Sequence, residues 1–216
     1  MLYYRHLLYN KEKVYPILYG PFPILMLFSC LFRMKVSNIK EEIRRRLFFM
    51  VQTTFKHNPV TLLGNEVKVG DKAPDFTVLA NDLSPVSLKD SEGKIRLFSV
   101  VPSLDTGVCD AQTRRFNEAA AELGDNVIIY TVSMDLPFAQ KRWCGAAGIE
   151  AVQTVSDHRE GSFGQAYGVL IESLRLLTRS IFVVDAQGTV TYVEYVPEAT
   201  DHPNYEAAIE AVKALI

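Results

Sequence analysis

Two cysteines of this chain, Cys109 and Cys144, stand where sulfur could do redox chemistry. Cys109 ends the run Pro102-Ser103-Leu104-Asp105-Thr106-Gly107-Val108-Cys109, at the hand-over from an apolar stretch to a helical pattern. In open α/β sheets, sites form at the carboxyl ends of strands. Thr106 is placed to cap the helix. Cys109 then falls three residues on, in the first turn and on the same side as Thr106. Backbone N–H groups and the helix dipole at that position favour a thiolate over a thiol, and the thiolate is the nucleophile. Asp105 and Asp110, beside it, read as solvated carboxylates at a helix start.

The elements that must hold this cysteine can be read from periodicity. Lys94 to Val101 is a near-continuous apolar run, which suits a central strand covered on both faces. After Pro102, the positions Val108, Ala111, Phe116, Ala119, Ala120 and Leu123 recur at helical spacing, and Gly124-Asp125 stops the helix. Val127 to Val132 is a second buried strand. Phe138 to Ala147 is a helix started by Pro137 and ended near Gly148. Val152 to Val155 is a short strand, and Ser162 to Tyr167 a short helix. Ser180 to Val184 and Thr189 to Tyr195 form a hairpin, and Tyr205 to Leu215 a terminal helix. Upstream, Gly64-Asn65 between Val60–Leu63 and Glu66–Val69 predicts an N-terminal hairpin. Phe76 to Leu79 and Val86 to Leu88 are short strands. Alternation closed by a hairpin predicts a mixed sheet sandwiched by helices, as in thioredoxin-like folds.

Composition excludes several classes of function. The chain has 216 residues, 48% apolar, enough for one sizeable core. A net charge of −2 gives no electrostatic case for nucleic acid binding. Three cysteines are too few for a disulfide-stapled scaffold. There is no C-x-x-C pair, and none of the four histidines is at ligand spacing from another histidine or a cysteine, so no metal site is expected. Gly161, Gly164 and Gly168 are not followed by the Lys-Ser/Thr of a phosphate loop. Trp143-Cys144-Gly145 is half of a thioredoxin centre, but Ala147 replaces the second cysteine and helical sequence precedes it.

The charge divides the chain near Met50. Residues 1–49 hold nine Lys/Arg against three Asp/Glu, and the remainder 14 against 22. The apolar run Ile17–Phe32 is broken by Gly20, Pro21 and Pro23, and is shorter than the roughly 20 residues of a spanning helix. As a signal peptide it would have a long n-region and no A-x-A site. Leu27-Phe28-Ser29-Cys30 fits a lipid-attachment box poorly because of Phe28, and Cys30 reads as incidental. Met50-Val51-Gln52-Thr53 resembles a true start. The expected organisation is an extension over residues 1–49, from a misassigned start site or disordered, and one domain over 50–216.

The longer run Pro102 to Asn117 carries P-x-x-x-T-x-x-C, and the sequence resembles the thiol-peroxidase branch of the peroxiredoxins. Gly70-Asp71-Lys72-Ala73-Pro74-Asp75-Phe76, Asp135-Leu136-Pro137-Phe138-Ala139-Gln140 and Leu176-Leu177-Thr178-Arg179 match as well. The resemblance covers Thr53 to the C-terminus and excludes the first 49 residues. It implies that Cys109 attacks hydrogen peroxide or an organic hydroperoxide. Thr106 would bond the thiolate and a peroxide oxygen, Pro102 would shield the sulfur, and Arg179 would hold the charge. Cys144 would resolve the Cys109 sulfenic acid as an intramolecular disulfide, after local unwinding of both helices. A thioredoxin-type reductant, a homodimer, a cytoplasmic location and no cofactor are the further expectations.

Two other readings stay open at this point. One is a dithiol–disulfide exchange protein or redox sensor using the same two cysteines without efficient peroxidase turnover. Thr106 and Arg179 argue against it, since exchange needs no ligands for peroxide oxygens. Thr106 also reads as a plain cap and Arg179 as a strand-edge charge. The other is a membrane-tethered interaction domain in which residues 1–35 matter most.

Overall fold

A computed structural model describes residues 53–216. The expectations for residues 1–49, for Cys30 and for a start at Met50 lie outside the described residues.

The sheet forms around central strands that are buried on both faces. Seven strands lie in one mixed sheet: β4 (Thr77–Leu79), β5 (Pro85–Ser87), β6 (Ile95–Val100), β7 (Val127–Ser133), β8 (Gln153–Ser156), β11 (Ser180–Val184) and β12 (Val190–Tyr195). Their spatial order is β12-β11-β6-β7-β8-β4-β5. Only β6–β7 and β7–β8 pair in parallel. All six residues of β6 are buried. Leu97 belongs to the core on one face of the sheet, and Phe98 and Val100 to the core on the other. In β11, Ile181 and Val183 alternate with Phe182 and Val184 in the same way. Each such side chain taken from water contributes about 1.5–3 kcal/mol. The sequence-predicted layers, a mixed sheet between helices, are the observed ones.

The helices follow the periodic stretches. Helix α1 spans Gly107–Leu123, α2 Pro137–Ala147, α3 Ser162–Ala166 and α4 Tyr205–Lys213. α1 and α4 cover one face of the sheet through Phe116, Ala119, Ala208, Ile209 and Val212. On the other face, Phe163 and Tyr167 stack with ring centroids 4.2 Å apart, against Phe76 and Phe98. Among the described residues, no helix is long and apolar enough to cross a membrane.

The N-terminal hairpin is present but displaced. It pairs β1 (Thr53–Phe55) with β2 (Asn58–Val60), turning at Lys56 and His57, not at Gly64-Asn65. Lys56 and His57 have φ of 51° and 63°, unusual for residues with side chains. Their N–H groups donate to the Glu198 carboxylate, at 3.0 and 2.8 Å, which holds the turn in place of a glycine. Gly64 has another task. A Cβ there would overlap the carbonyl oxygen of Gln165, and one on Gly168 would sit 2.5 Å from that of Asn65. Two segments therefore meet backbone to backbone, and the glycines allow the approach. β3 (Leu62–Leu63) pairs instead with β9 (Leu170–Ile171), which pairs with β10 (Leu176–Leu177). Runs of two residues carry no periodicity, so β9 and β10 were not predicted.

We expect Gly64→Ala to cost about 2–4 kcal/mol in urea unfolding, against about 1 kcal/mol for Gly70→Ala, which shares a positive φ but has open space around it. Equal costs at the two positions would show that φ alone decides.

Candidate active site

Strand pairing brings the site together. β11 runs antiparallel to β6 with Ser180 opposite Val100. The residue before β11, Arg179, therefore reaches the residues after β6, where the loop from Pro102 to Thr106 leads into α1. Asp135, just past β7, anchors that loop. Its carboxylate accepts from Ser103 Oγ at 2.7 Å, from the Leu104 N–H at 2.8 Å and from Ser133 Oγ at 2.8 Å. Sequence reasoning had matched the Asp135 segment but given it no role.

The Cys109 sulfur sits in the first turn of α1 and is fully buried. It accepts a hydrogen bond from Thr106 Oγ1 at 2.8 Å and one from Arg179 Nη2 at 3.2 Å. Thr106 is the N-cap residue by backbone position, but its hydroxyl bonds no helix N–H. It reaches the sulfur and the Ser103 carbonyl oxygen instead. The expectation of a side-chain cap fails there because the sulfur competes for the hydroxyl.

Arg179 is 1% exposed, and among the described residues no carboxylate lies within salt-bridge distance of it. Its other two hydrogen bonds go to neutral acceptors, Nη1 to Gln112 Oε1 at 2.6 Å and Nε to the Ala199 carbonyl at 3.0 Å. Gln112 in turn donates to Ser99 Oγ at 2.8 Å. A buried unpaired charge is costly. The Cys109 sulfur is the one partner of Arg179 that is not an amide or peptide carbonyl. Sequence reasoning finds no role for Gln112; its signal is its position three residues after Cys109, on the same helix face.

A cavity of about 160 Å³ opens onto this cluster. Pro102, Thr106, Val108 and Arg179 line it, with Phe55 and Lys56 from the hairpin and Ala199 and Thr200 opposite. Pro102 is buried at its wall. Glu198 ties these walls together. Besides the Lys56 and His57 N–H groups it accepts from Thr54 Oγ1, Thr200 N and Thr200 Oγ1. Burial alone would raise this carboxyl, but bonds from Thr200, Thr54 and His57 outweigh it and hold it at about 2. Sequence reasoning found no role for Glu198, whose partners Thr54, Lys56 and His57 lie more than 140 residues away in the chain.

Cys144 lies apart from this cluster, in α2. It is half-buried, and its sulfur is 3.3 Å from Thr154 Oγ1, which is itself bonded to Asn81. It faces a separate groove of about 370 Å³ lined by Asn81, Asp82, Lys141 and Thr154. Both cysteines are free thiols. The structure thus brings Cys109, Thr106, Arg179 and Pro102 together and leaves Cys144 outside. No cluster of three potential metal ligands occurs among the described residues.

Residues 68–209 match the sequence profile of the Redoxin family. The chain belongs to the redoxins, in the thiol peroxidase branch of the peroxiredoxins. It is 71% identical over 167 residues to the thiol peroxidase of Halalkalibacterium halodurans, spanning 77% of this chain and all of that one. The thiol peroxidase of Bacillus subtilis is 66% identical over 77% of this chain and 99% of its own length. Among solved structures, a peroxiredoxin-like protein from Aquifex aeolicus superposes with a TM-score of 0.72 at 43% identity, covering 77% of this chain and 98% of that one.

The low carboxyl value of Glu198 links the pocket walls to pH. A carboxyl held below its unfolded value stabilises the fold above about pH 4.5, and that stability drains away as pH falls toward 2. We expect Glu198→Gln to lower the melting temperature at pH 7 by about 3–8 °C and to flatten the loss of stability between pH 4.5 and 2. A variant with the wild-type acid limb would remove Glu198 from this role.

Proposed function

We propose that this peroxiredoxin-type peroxidase works through Cys109 as the attacking sulfur and Cys144 as the resolving one, on hydrogen peroxide and organic hydroperoxides. The observation that carries the reading is the Arg179 guanidinium, buried without a carboxylate and bonded to the Cys109 sulfur. It stabilises the thiolate before the reaction and the charge that develops on peroxide oxygen during it.

The cycle balances as follows. The Cys109 thiolate attacks the nearer peroxide oxygen; an S–O bond forms and the O–O bond breaks. Sulfur is oxidised to sulfenic acid, and the leaving oxygen takes a proton and departs as water or an alcohol. Thr106 Oγ1 and Arg179 hold the two oxygens in line with the sulfur, and Pro102 keeps bulk water from it. The Cys144 thiol then attacks the Cys109 sulfur. An S–S bond forms, the S–O bond breaks and water leaves. A dithiol protein of the thioredoxin type supplies two electrons and two protons to restore both thiols. Because Cys144 faces its own groove, this step needs the first turn of α1 and the end of α2 to unwind. The cycle would run in the cytoplasm, where thiols are kept reduced. Leu136 and Phe138, 54% and 65% exposed at the start of α2, support a homodimer.

Stopped-flow turnover with thioredoxin, thioredoxin reductase and NADPH tests the scheme. We expect Cys109→Ser to be inactive, and Cys144→Ser to reduce about one equivalent of peroxide and stall. Thr106→Val and Arg179→Gln should each slow the first step by about 10²–10³-fold. If the wild type reacts with peroxide no faster than an ordinary free thiol, the reading as an exchange protein or sensor replaces this one.

A further inference from the structure

The exposed face of α1 grips the end of α2. Arg114, one turn after Asp110, donates from Nε to Asp110 Oδ2 at 2.9 Å and from Nη1 to the Ala147 carbonyl at 2.9 Å. Its guanidinium carbon lies 5.8 Å from the centre of the Trp143 ring. One turn further on, Asn117 Oδ1 accepts from the Glu150 and Ala151 N–H groups at 3.2 and 2.9 Å. Positions 110, 114 and 117 form one stripe of the helix, and the stripe ends on the segment that carries Cys144. The Cys144 carbonyl closes that last turn, accepting from the Gly148 and Ile149 N–H groups. Trp143 packs against the small cluster of Val101, Leu104 and Cys109.

The geometry points to Arg114 as a latch: it holds the Cys144 turn closed beside Cys109 and couples its release to unwinding of the α1 first turn at Asp110. The latch rests on the two-cysteine cycle given above. Arg114 touches neither sulfur and is a positioning residue. Asp110 follows Cys109 directly, so unwinding that frees the oxidised sulfur also removes the carboxylate that orients the guanidinium. With Nε unpartnered, the hold on Ala147 and Trp143 weakens, and the second turn opens at lower cost. While the latch is shut, Cys109 sulfenic acid waits beside the cavity, where a second peroxide converts it to sulfinic acid. Arg114 thereby sets the balance between disulfide formation and overoxidation.

Single-turnover kinetics separate the two steps. Trp143 is the sole tryptophan of the chain, so its fluorescence reports the opening, and mass spectrometry of trapped thiols counts sulfenic, disulfide and sulfinic forms. In Arg114→Ala, we expect the disulfide step to be about three- to tenfold faster, as loss of one charge-assisted bond and one cation–π contact would give. The sulfenic-acid step should stay within about twofold of wild type, since Arg114 contacts neither sulfur. The sulfinic fraction under excess peroxide should fall by a factor similar to that gained in the disulfide step. Asp110→Asn, which leaves Arg114 in place, should move in the same direction by less, and the two effects should not add. Arg115→Ala serves as control, because Arg115 pairs with Glu118 and Glu206 instead. A disulfide step unchanged or slower in both Arg114→Ala and Asp110→Asn overturns the latch. Absence of any disulfide in the wild type overturns the two-cysteine cycle itself.

Discussion

A guanidinium sealed from water with no carboxylate beside it is an expensive object, and the architecture of this protein is arranged around one. Arg179 donates to Gln112, to the Ala199 carbonyl and to the Cys109 sulfur, and only the sulfur can become an anion. Neutral acceptors aim the charge without quenching it. Had an aspartate occupied the place of Gln112, the arginine would be neutralised there and its bond to the sulfur would count for less. The β6–β11 register fixes where Arg179 arrives, and α1 fixes where Cys109 waits. The two meet because Ser180 lies opposite Val100.

Around that pair, the molecule separates what must stay still from what must move. Asp135 clamps Ser103 and Leu104, and Glu198 clamps the hairpin turn to the loop that presents Ala199. These anchors lie on the strand side of the cavity. On the helix side, the holds are fewer and more exposed. Arg114 is 45% exposed and Asp110 34%, where ion pairs are weak because water competes for them. The asymmetry suits a site in which peroxide reduction needs preorganised donors, whereas resolution needs two helical turns to let go.

What was legible in the sequence was what local pattern encodes. The all-buried β6, the amphipathic α1 and the Pro137-to-Gly148 limits of α2 each followed from periodicity and end signals. The long motif around Cys109 drew in Thr106 and Pro102, which are neighbours in the chain. The misplaced hairpin shows the limit of such reading. Gly64-Asn65 has turn chemistry, yet Gly64 serves a close backbone approach to Gln165, and the true turn uses Lys56 and His57 at a conformation that only Glu198 makes stable. Gln112, Asp135 and Glu198 went without a role for one reason. Their meaning lies mostly in partners brought near by strand pairing and loop packing, and the helical spacing of Gln112 from Cys109 is the one local trace of it.

The separation of the two sulfurs then takes on a physical sense. Cys144 rests against Thr154 in its own groove, apart from the Arg179 guanidinium. In the proposed cycle, a peroxide entering the cavity meets the Cys109 sulfur and not that of Cys144. Separation in the folded state gives the proposed cycle its order of events, with Cys109 first and Cys144 after opening. The cost of that order is the interval in which the sulfenic acid stands unresolved, and the length of the interval is set by how firmly α1 holds the end of α2.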